Sequence, residues 1–351
     1  MKLNYGMQTY VIRPALAFSL LLFSPAAPAY RWTRAAWTPA SHSKQDIPRS
    51  SKYVQIDYSA IDAYARNAPA STARNLNALS TYLTTPAKSD LAKARSVYAW
   101  ITSHIRYDET AFSGQQYSSE TEYASRSLRS RKAVCTGFAL LFKHLLKPSG
   151  IDVINIKGYA RTFDSEAGQP IQRVDHEWNA VRLDGDWYLL DIAWAQTTAK
   201  AGKPNDYFFL TEPVEFAANH FPTDPRWQLL SASVSKSQFD QFPKLYDAYF
   251  RLGFDENFPK SGLLRAGNTL TLTLKNNKDV EFMCALGRLG GSESTTVPVA
   301  TQRLGETYRL TVSVPRRGNS TLLVFAKPTS SRSERTRSYE GIASFTVVKG
   351  S

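Results

Sequence analysis

A thiol nucleophile, a base to activate it and a group to orient the base are assembled from cysteine, histidine and a carboxylate or amide. Three residues of this sequence, Cys135, His176 and Asp191, fall where those roles can meet. Cys135 stands at the expected start of a helix, in Val134-Cys135-Thr136-Gly137. There the thiol would feel the positive end of the helix dipole and its unpaired N–H groups, both of which favour thiolate. His176 and Asp191 open and close a stretch with Asp184-Gly185 at its middle. Asp-Gly between runs of β-favouring residues predicts a two-residue hairpin loop. With that loop, Leu183 pairs with Asp186 and Trp178 with Asp191, so side-chain alternation puts Asp191 on the face of Trp178 and His176. His176 and Asp191 then become diagonal cross-strand neighbours, roughly 7–8 Å apart in the backbone. A loop one residue longer would reverse the parity and separate them.

In this arrangement His176 would accept the thiol proton, and Asp191 would fix its tautomer and stabilise the imidazolium. The backbone N–H of Cys135 would be one oxyanion donor; the sequence identifies no second. Trp178 shares the face of His176 and is a candidate substrate-binding wall, with core packing as its other reading. Glu177 points away in this register. Each residue alone has an ordinary structural explanation, and the combination carries the argument. His104, His144 and His220 are read as structural, His220 as packing or loop fixing, and Cys284 as a buried small residue in an apolar strand. The His and Cys spacings match no metal-ligand pattern, so neither a metal nor a cofactor is expected.

The elements needed to position these groups are visible in the periodicity. Residues 53–106 read as helical, with Leu91, Ala94, Val97, Tyr98 and Ile101 on one face. A short helix and turn over 123–132 leads to Cys135. A helix from Cys135 to Leu146 carries Phe138, Leu141, Phe142 and Leu145 on one side and ends at Lys147-Pro148-Ser149-Gly150. Strands are expected at 151–161, 174–183 and 187–193, and loop with short helix as far as about 230. The hairpin's second face, Val181, Leu183, Tyr188, Leu190 and Ile192, is a core-facing set. After a Ser-rich connection, strand-like runs from Leu270, Glu281, Tyr308, Thr321 and Ser344 suggest a small antiparallel sandwich. The expected architecture is α+β. A signal segment at 1–29 and a flexible lead-in at 30–75 precede a catalytic domain at 76–230 and a β-sandwich at 245–351.

The chain has 351 residues, 42% of them hydrophobic, enough for two domains with real cores. Lys2 and Arg13, the apolar run 15–23 and Ala27-Pro28-Ala29 have the order of a secretory signal cleaved near Ala29. The mature protein is therefore expected outside the cytoplasm, secreted or periplasmic, with a retained N-terminal anchor as the alternative. No later run reaches the roughly 18 apolar residues of a membrane span. The formal charge of +13 invites polyanions, but the basic residues are scattered and no nucleic-acid-binding motif accompanies them. Two cysteines, in segments that read as different domains, exclude a disulfide framework.

The motifs also carry a family resemblance. Ala133-Val134-Cys135-Thr136-Gly137-Phe138-Ala139 resembles the Gly-Val-Cys-x-Gly-Tyr-Ala motif of the transglutaminase-like cysteine superfamily, with Ala133 in place of the usual glycine. His176-Glu177-Trp178-Asn179 resembles its His-x-Trp-Asn motif, Asp191-Ile192-Ala193-Trp194 its Asp-x-x-Trp motif, and Arg106-Tyr107-Asp108 its upstream segment. Tyr207-Phe208-Phe209-Leu210, His220-Phe221-Pro222 and Trp227-Gln228-Leu229-Leu230 are similar to the kyphoscoliosis-peptidase and cytokinesis-protein branch. The resemblance implies a papain/transglutaminase-like core followed by an immunoglobulin-like sandwich. It also implies a Cys135–His176–Asp191 triad acting on peptide or protein amides through a thioester, as a peptidase or amidase or as a protein-glutamine transferase. The triad serves both outcomes, and hydrolysis is favoured over cross-linking. Envelope-associated peptides are the expected partners and nucleic acid is not. The other reading is a catalytically silent binding module at the cell surface. Oligomeric state is not legible.

Overall fold

The helices before Cys135 follow from their caps and apolar faces. The first three among the described residues are α1 (Ser59–Arg66), α2 (Leu76–Thr84) and α3 (Asp90–His104). The Asn75 side chain accepts from the N–H of Ala78 to start α2, and that of Ser89 from Ala92 to start α3. α3 is buried from Ala94 to Ile101. In its middle Arg95 donates to both oxygens of Asp62 on α1, at 2.7 and 2.6 Å, and to Asp206 at 2.8 Å. The lead-in drawn to residue 75 therefore ends earlier, because a buried ion pair ties α1 to the core.

The structure is a computed structural model that describes residues 53, 55–111, 116–314, 318–329 and 338–349. The expected signal segment and the lead-in to residue 52 lie outside them. The described residues belong to one compact unit spanning 48–351. Among them, no helix is long and apolar enough to cross a membrane.

β1 (Arg106–Tyr107) pairs in parallel with β2 (Lys132–Ala133), and α4 (Glu120–Ser130) lies between them in sequence. β2 delivers the chain to α5 (Cys135–Leu146), which has the bounds expected from periodicity. A four-stranded antiparallel sheet packs on α5: β3 (Val153–Ala160), β4 (His176–Leu183), β5 (Asp186–Leu190) and β6 (His220–Pro222), in the order β5-β4-β3-β6. The β4–β5 loop is Asp184-Gly185 with φ of 51° and 90°, and Leu183 faces Asp186 as the turn requires. Val181, Leu183, Tyr188, Leu190 and Ile192 join α3 and α5 in one apolar core. The opposite face packs Ile156, Trp178, Ala180 and Leu189 on Phe216.

The third expected strand runs too far. β5 stops at Leu190, and Asp191 caps α6 (Ile192–Thr197), its side chain accepting from Trp194 N–H at 2.9 Å. A cap uses the same carboxylate type that a strand end would, so the alternation pattern alone could not separate them. α7 (Pro213–Ala217) precedes the short β6, which sequence periodicity did not reveal.

The C-terminal half begins with α8 (Lys236–Gln241), β7 (Lys244–Leu245) and α9 (Asp247–Arg251). There follow β8 (Leu263–Ala266), β9 (Thr269–Lys275), β10 (Val280–Arg288), β11 (Ser294–Val297), β12 (Val299–Leu304), β13 (Thr307–Ser313), β14 (Ser320–Pro328) and β15 (Glu340–Lys349). One sheet runs β11-β10-β14-β15-β7 with β8 alongside β15, and the other runs β12-β13-β9. All five expected runs are strands. β9 alternates exposed and buried positions along its length, as one face of a sandwich should. Its core is shared: Ile171, Ala218 and Phe221 from the first half pack among the sandwich's apolar side chains.

Candidate active site

Three elements converge at the start of α5. The parallel β1–β2 pair fixes the approach, with Asp108 N–H donating to Ala133 O at 2.9 Å. Gly137 lets α5 press on α4: a Cβ there would lie 2.5 Å from Ser127 Oγ and 2.6 Å from Ala133 Cβ. The helix start is capped by Val134 without a side-chain bond, so no side chain competes for the N-terminal N–H groups. Cys135 is fully buried, and its Sγ lies 4.0 Å from the backbone oxygen of Asp175. A substrate carbonyl therefore reaches the thiol only when side chains around it give way. Cys284 is also buried and unbridged, in β10, where burial pushes its thiol up to about 12.

The hairpin brings His176 and Asp191 together. His176 Nε2 lies 2.6 Å from Asp191 Oδ2, and both residues are buried. With Nε2 spent on the carboxylate, Nδ1 is the nitrogen left to serve a thiol, and Cys135 is near enough to raise the proton affinity of the ring. Burial pulls the His176 pKa down, but the Asp191 charge and the adjoining thiol outweigh it, and the net direction is well above the ordinary value. Burial alone would push Asp191 up. The His176 charge and the donors from His176 and His220 overcome that and hold the carboxyl well below its usual range. The site thus favours an imidazolium on a carboxylate, beside the thiol.

Trp178 is 1% exposed and lies beneath the pair, its ring 6.0 Å from that of His176 and 5.1 Å from that of His220. Trp194, half-buried, stands 5.6 Å from the His176 ring on another side. Glu177 does point away: it is buried on the α5 face, accepting from Thr136 Oγ1 at 2.9 Å and Asn155 Nδ2 at 2.7 Å.

His220 is the residue that the sequence reasoning placed elsewhere. Rather than only packing, its Nε2 lies 3.0 Å from Asp191 Oδ2, the oxygen that also faces His176. The signal available was the family-like His220-Phe221-Pro222, but nothing in local periodicity links it to a residue 29 positions earlier. The donor atoms of His176, Asp191 and His220 lie within 4.8 Å of one another, a set of ligating type that sequence spacing did not show. Their contacts of 2.6 and 3.0 Å are hydrogen-bond lengths, shorter than the roughly 3.3 Å that separates neighbouring ligands around tetrahedral zinc.

Comparison with known proteins follows the same division. Residues 77–192 match the transglutaminase-like superfamily, and residues 236–351 match the KY-like, immunoglobulin-like domain. The chain is similar to kyphoscoliosis peptidase of Mus musculus, 31% identical over 263 residues, covering 73% of this chain and 39% of that protein. It is similar to kyphoscoliosis peptidase of Homo sapiens at 28% over 312 residues, covering 87% and 44%. To cytokinesis protein 3 of Schizosaccharomyces pombe it is 24% identical over 255 residues, covering 68% and 28%. The chain spans about two fifths of the length of the kyphoscoliosis peptidases it matches.

Proposed function

We propose, from the premise that residues 77–192 belong to the transglutaminase-like superfamily and residues 236–351 are a KY-like immunoglobulin-like domain, that this protein is a thiol enzyme opening amide bonds of peptides or proteins. The observation that carries the reading is the placement of His176, with Asp191 on Nε2 at 2.6 Å, Nδ1 left to serve a thiol, and Cys135 near enough to raise the proton affinity of the ring. The Cys135 thiolate would add to the amide carbonyl, and the N–H groups at the start of α5 would face the oxyanion. His176 would give its proton to the departing amine as the C–N bond breaks, leaving a thioester on Cys135. Water, deprotonated by His176, would then break the C–S bond, release the acid and restore the thiol. Asp191 holds the imidazole and stays ionised throughout.

Hydrolysis is preferred over transfer to an amine because the similar mouse and human proteins are named peptidases. The signal-like order of Lys2, Arg13, the apolar run and Ala27-Pro28-Ala29 supports substrates outside the cytoplasm, such as envelope proteins or cell-wall peptides. The full burial of Cys135 favours a second reading, a binding module that keeps the triad unused.

A peptide library offered together with a labelled primary amine separates these readings. The proposal expects an acyl adduct on Cys135 by mass spectrometry and cleaved peptides, both absent in Cys135→Ala. Amine-labelled peptides would make the protein a transferase. No adduct, with full biological activity in Cys135→Ala, would leave the binding module.

A further inference from the structure

Asp191 carries more than the base needs. Its Oδ1 accepts from Trp194 N–H at 2.9 Å, and its Oδ2 faces two imidazole nitrogens, His176 Nε2 at 2.6 Å and His220 Nε2 at 3.0 Å. An ionised carboxylate only accepts, so both nitrogens must carry protons. His220 is fully enclosed: its ring stacks 3.9 Å from Phe216, with Trp194 at 4.4 Å and Trp178 at 5.1 Å. Packing alone would suit a phenyl ring here, since burying an imidazole costs free energy unless its polar atoms are bonded. Two acceptors lie within reach of the ring, the carboxylate that also serves His176 at 3.0 Å and the weaker backbone oxygen of Phe216 at 3.3 Å.

We infer that His220 is a positioning residue that shares Asp191 Oδ2 with His176 and so limits how much of the carboxylate's charge falls on the base. The inference rests on the triad reading above. The chemistry gives it a purpose: His176 must both hold a proton beside the thiolate and surrender it to the leaving amine. A carboxylate devoted to one imidazole would bind that proton more tightly. His220 stays neutral at ordinary pH, because burial lowers its proton affinity more than Asp191 raises it. A neutral ring has one N–H, and the ionised carboxylate at 3.0 Å is a stronger acceptor than the backbone oxygen of Phe216, 3.3 Å from Nδ1. The proton therefore sits on Nε2, and the Nδ1 contact is not a hydrogen bond. The other titratable groups around the cluster are Cys135 and Asp175 beside His176, Lys244 with Nζ 5.5 Å from the Trp194 ring, Arg161 bonded through its backbone to Asn219, and Glu215 on α7. None of them sits between His220 and Asp191.

The test compares His220→Phe, which keeps the ring volume without a donor, with His220→Gln, whose amide restores an N–H. The readouts are the pH profile of Cys135 alkylation by iodoacetamide and the imidazole nitrogen shifts of His176. In His220→Phe the deprotonation midpoint of His176 should rise by about one pH unit, a tenfold gain in proton affinity, and His220→Gln should return it close to wild type. An unmoved midpoint in His220→Phe, or a Gln variant matching Phe, overturns the inference. His176→Ala separates the two levels: if it leaves the alkylation profile unchanged, the triad reading itself fails. If it changes the profile while His220→Phe does not, only the role of His220 fails. Should His220→Phe not fold, nitrogen NMR of the wild-type chain decides: the Nε2–H tautomer of His220 supports the inference and the Nδ1–H tautomer contradicts it.

Discussion

Nε2 of His176 points at Asp191, and that single orientation decides which nitrogen can serve the thiol. The pair is buried, so its electrostatics are also a stability term. His176, with its pKa raised, contributes stability that is full below about 6.5 and lost as pH climbs through its folded value. Asp191, with its pKa depressed, contributes stability that is full above about 3.9 and lost as pH falls through its folded value. Both act fully between those limits. Asp191→Asn should therefore cost roughly 3 kcal/mol near pH 5–6 and less at either extreme. Urea unfolding at several pH values would check this, and a penalty independent of pH would contradict it. The sequence disclosed the pair because turn length and strand parity follow simple arithmetic. It did not disclose that Asp191 also caps a helix, since capping is a property of the backbone beyond the strand.

At the scale of elements, the start of α5 is held by close packing against α4 and β2. Gly137→Ala would force a methyl against both Ser127 Oγ and Ala133 Cβ, and neither is the far end of a flexible chain. The expected loss is about 1–3 kcal/mol in thermal unfolding, with slower alkylation of Cys135 as the helix start shifts. A variant as stable and reactive as the parent would show that α5 can slide freely. Helix α5 was legible because its apolar face repeats over twelve residues. β6 was not, because a strand of three residues has no period to read, and its identity comes from pairing with β3. That is why His220 was missed while His176, on a strand of eight residues, was found.

For the whole molecule, the junction between the halves is built from buried polar bonds as well as shared core. Arg161, fully buried after β3, donates to Phe239 O at 2.6 Å, and Lys244 of β7 donates to the backbone oxygens of Arg161 at 3.0 Å and Thr162 at 2.7 Å. Asn219, next to His220, donates to Leu245 O at 2.7 Å. A sandwich strand thus braces the segment that reaches Asp191. Calorimetry should show one cooperative transition for both halves, and two separable transitions would contradict this coupling. The sandwich was legible from spaced strand runs, but its fusion with the first half was not. Arg161 and Lys244 find their partners more than 70 residues away.

The measurement that bears most directly on the account is the pH dependence of iodoacetamide alkylation at Cys135, in the parent and in His176→Ala. Cys284 gives little background, because its thiol is pushed up to about 12 and holds little thiolate over the pH range scanned. The account predicts a Cys135 thiol reactive well below the free-cysteine value of about 8.5, with that reactivity lost in His176→Ala. A thiol that reacts identically with and without His176 would contradict it.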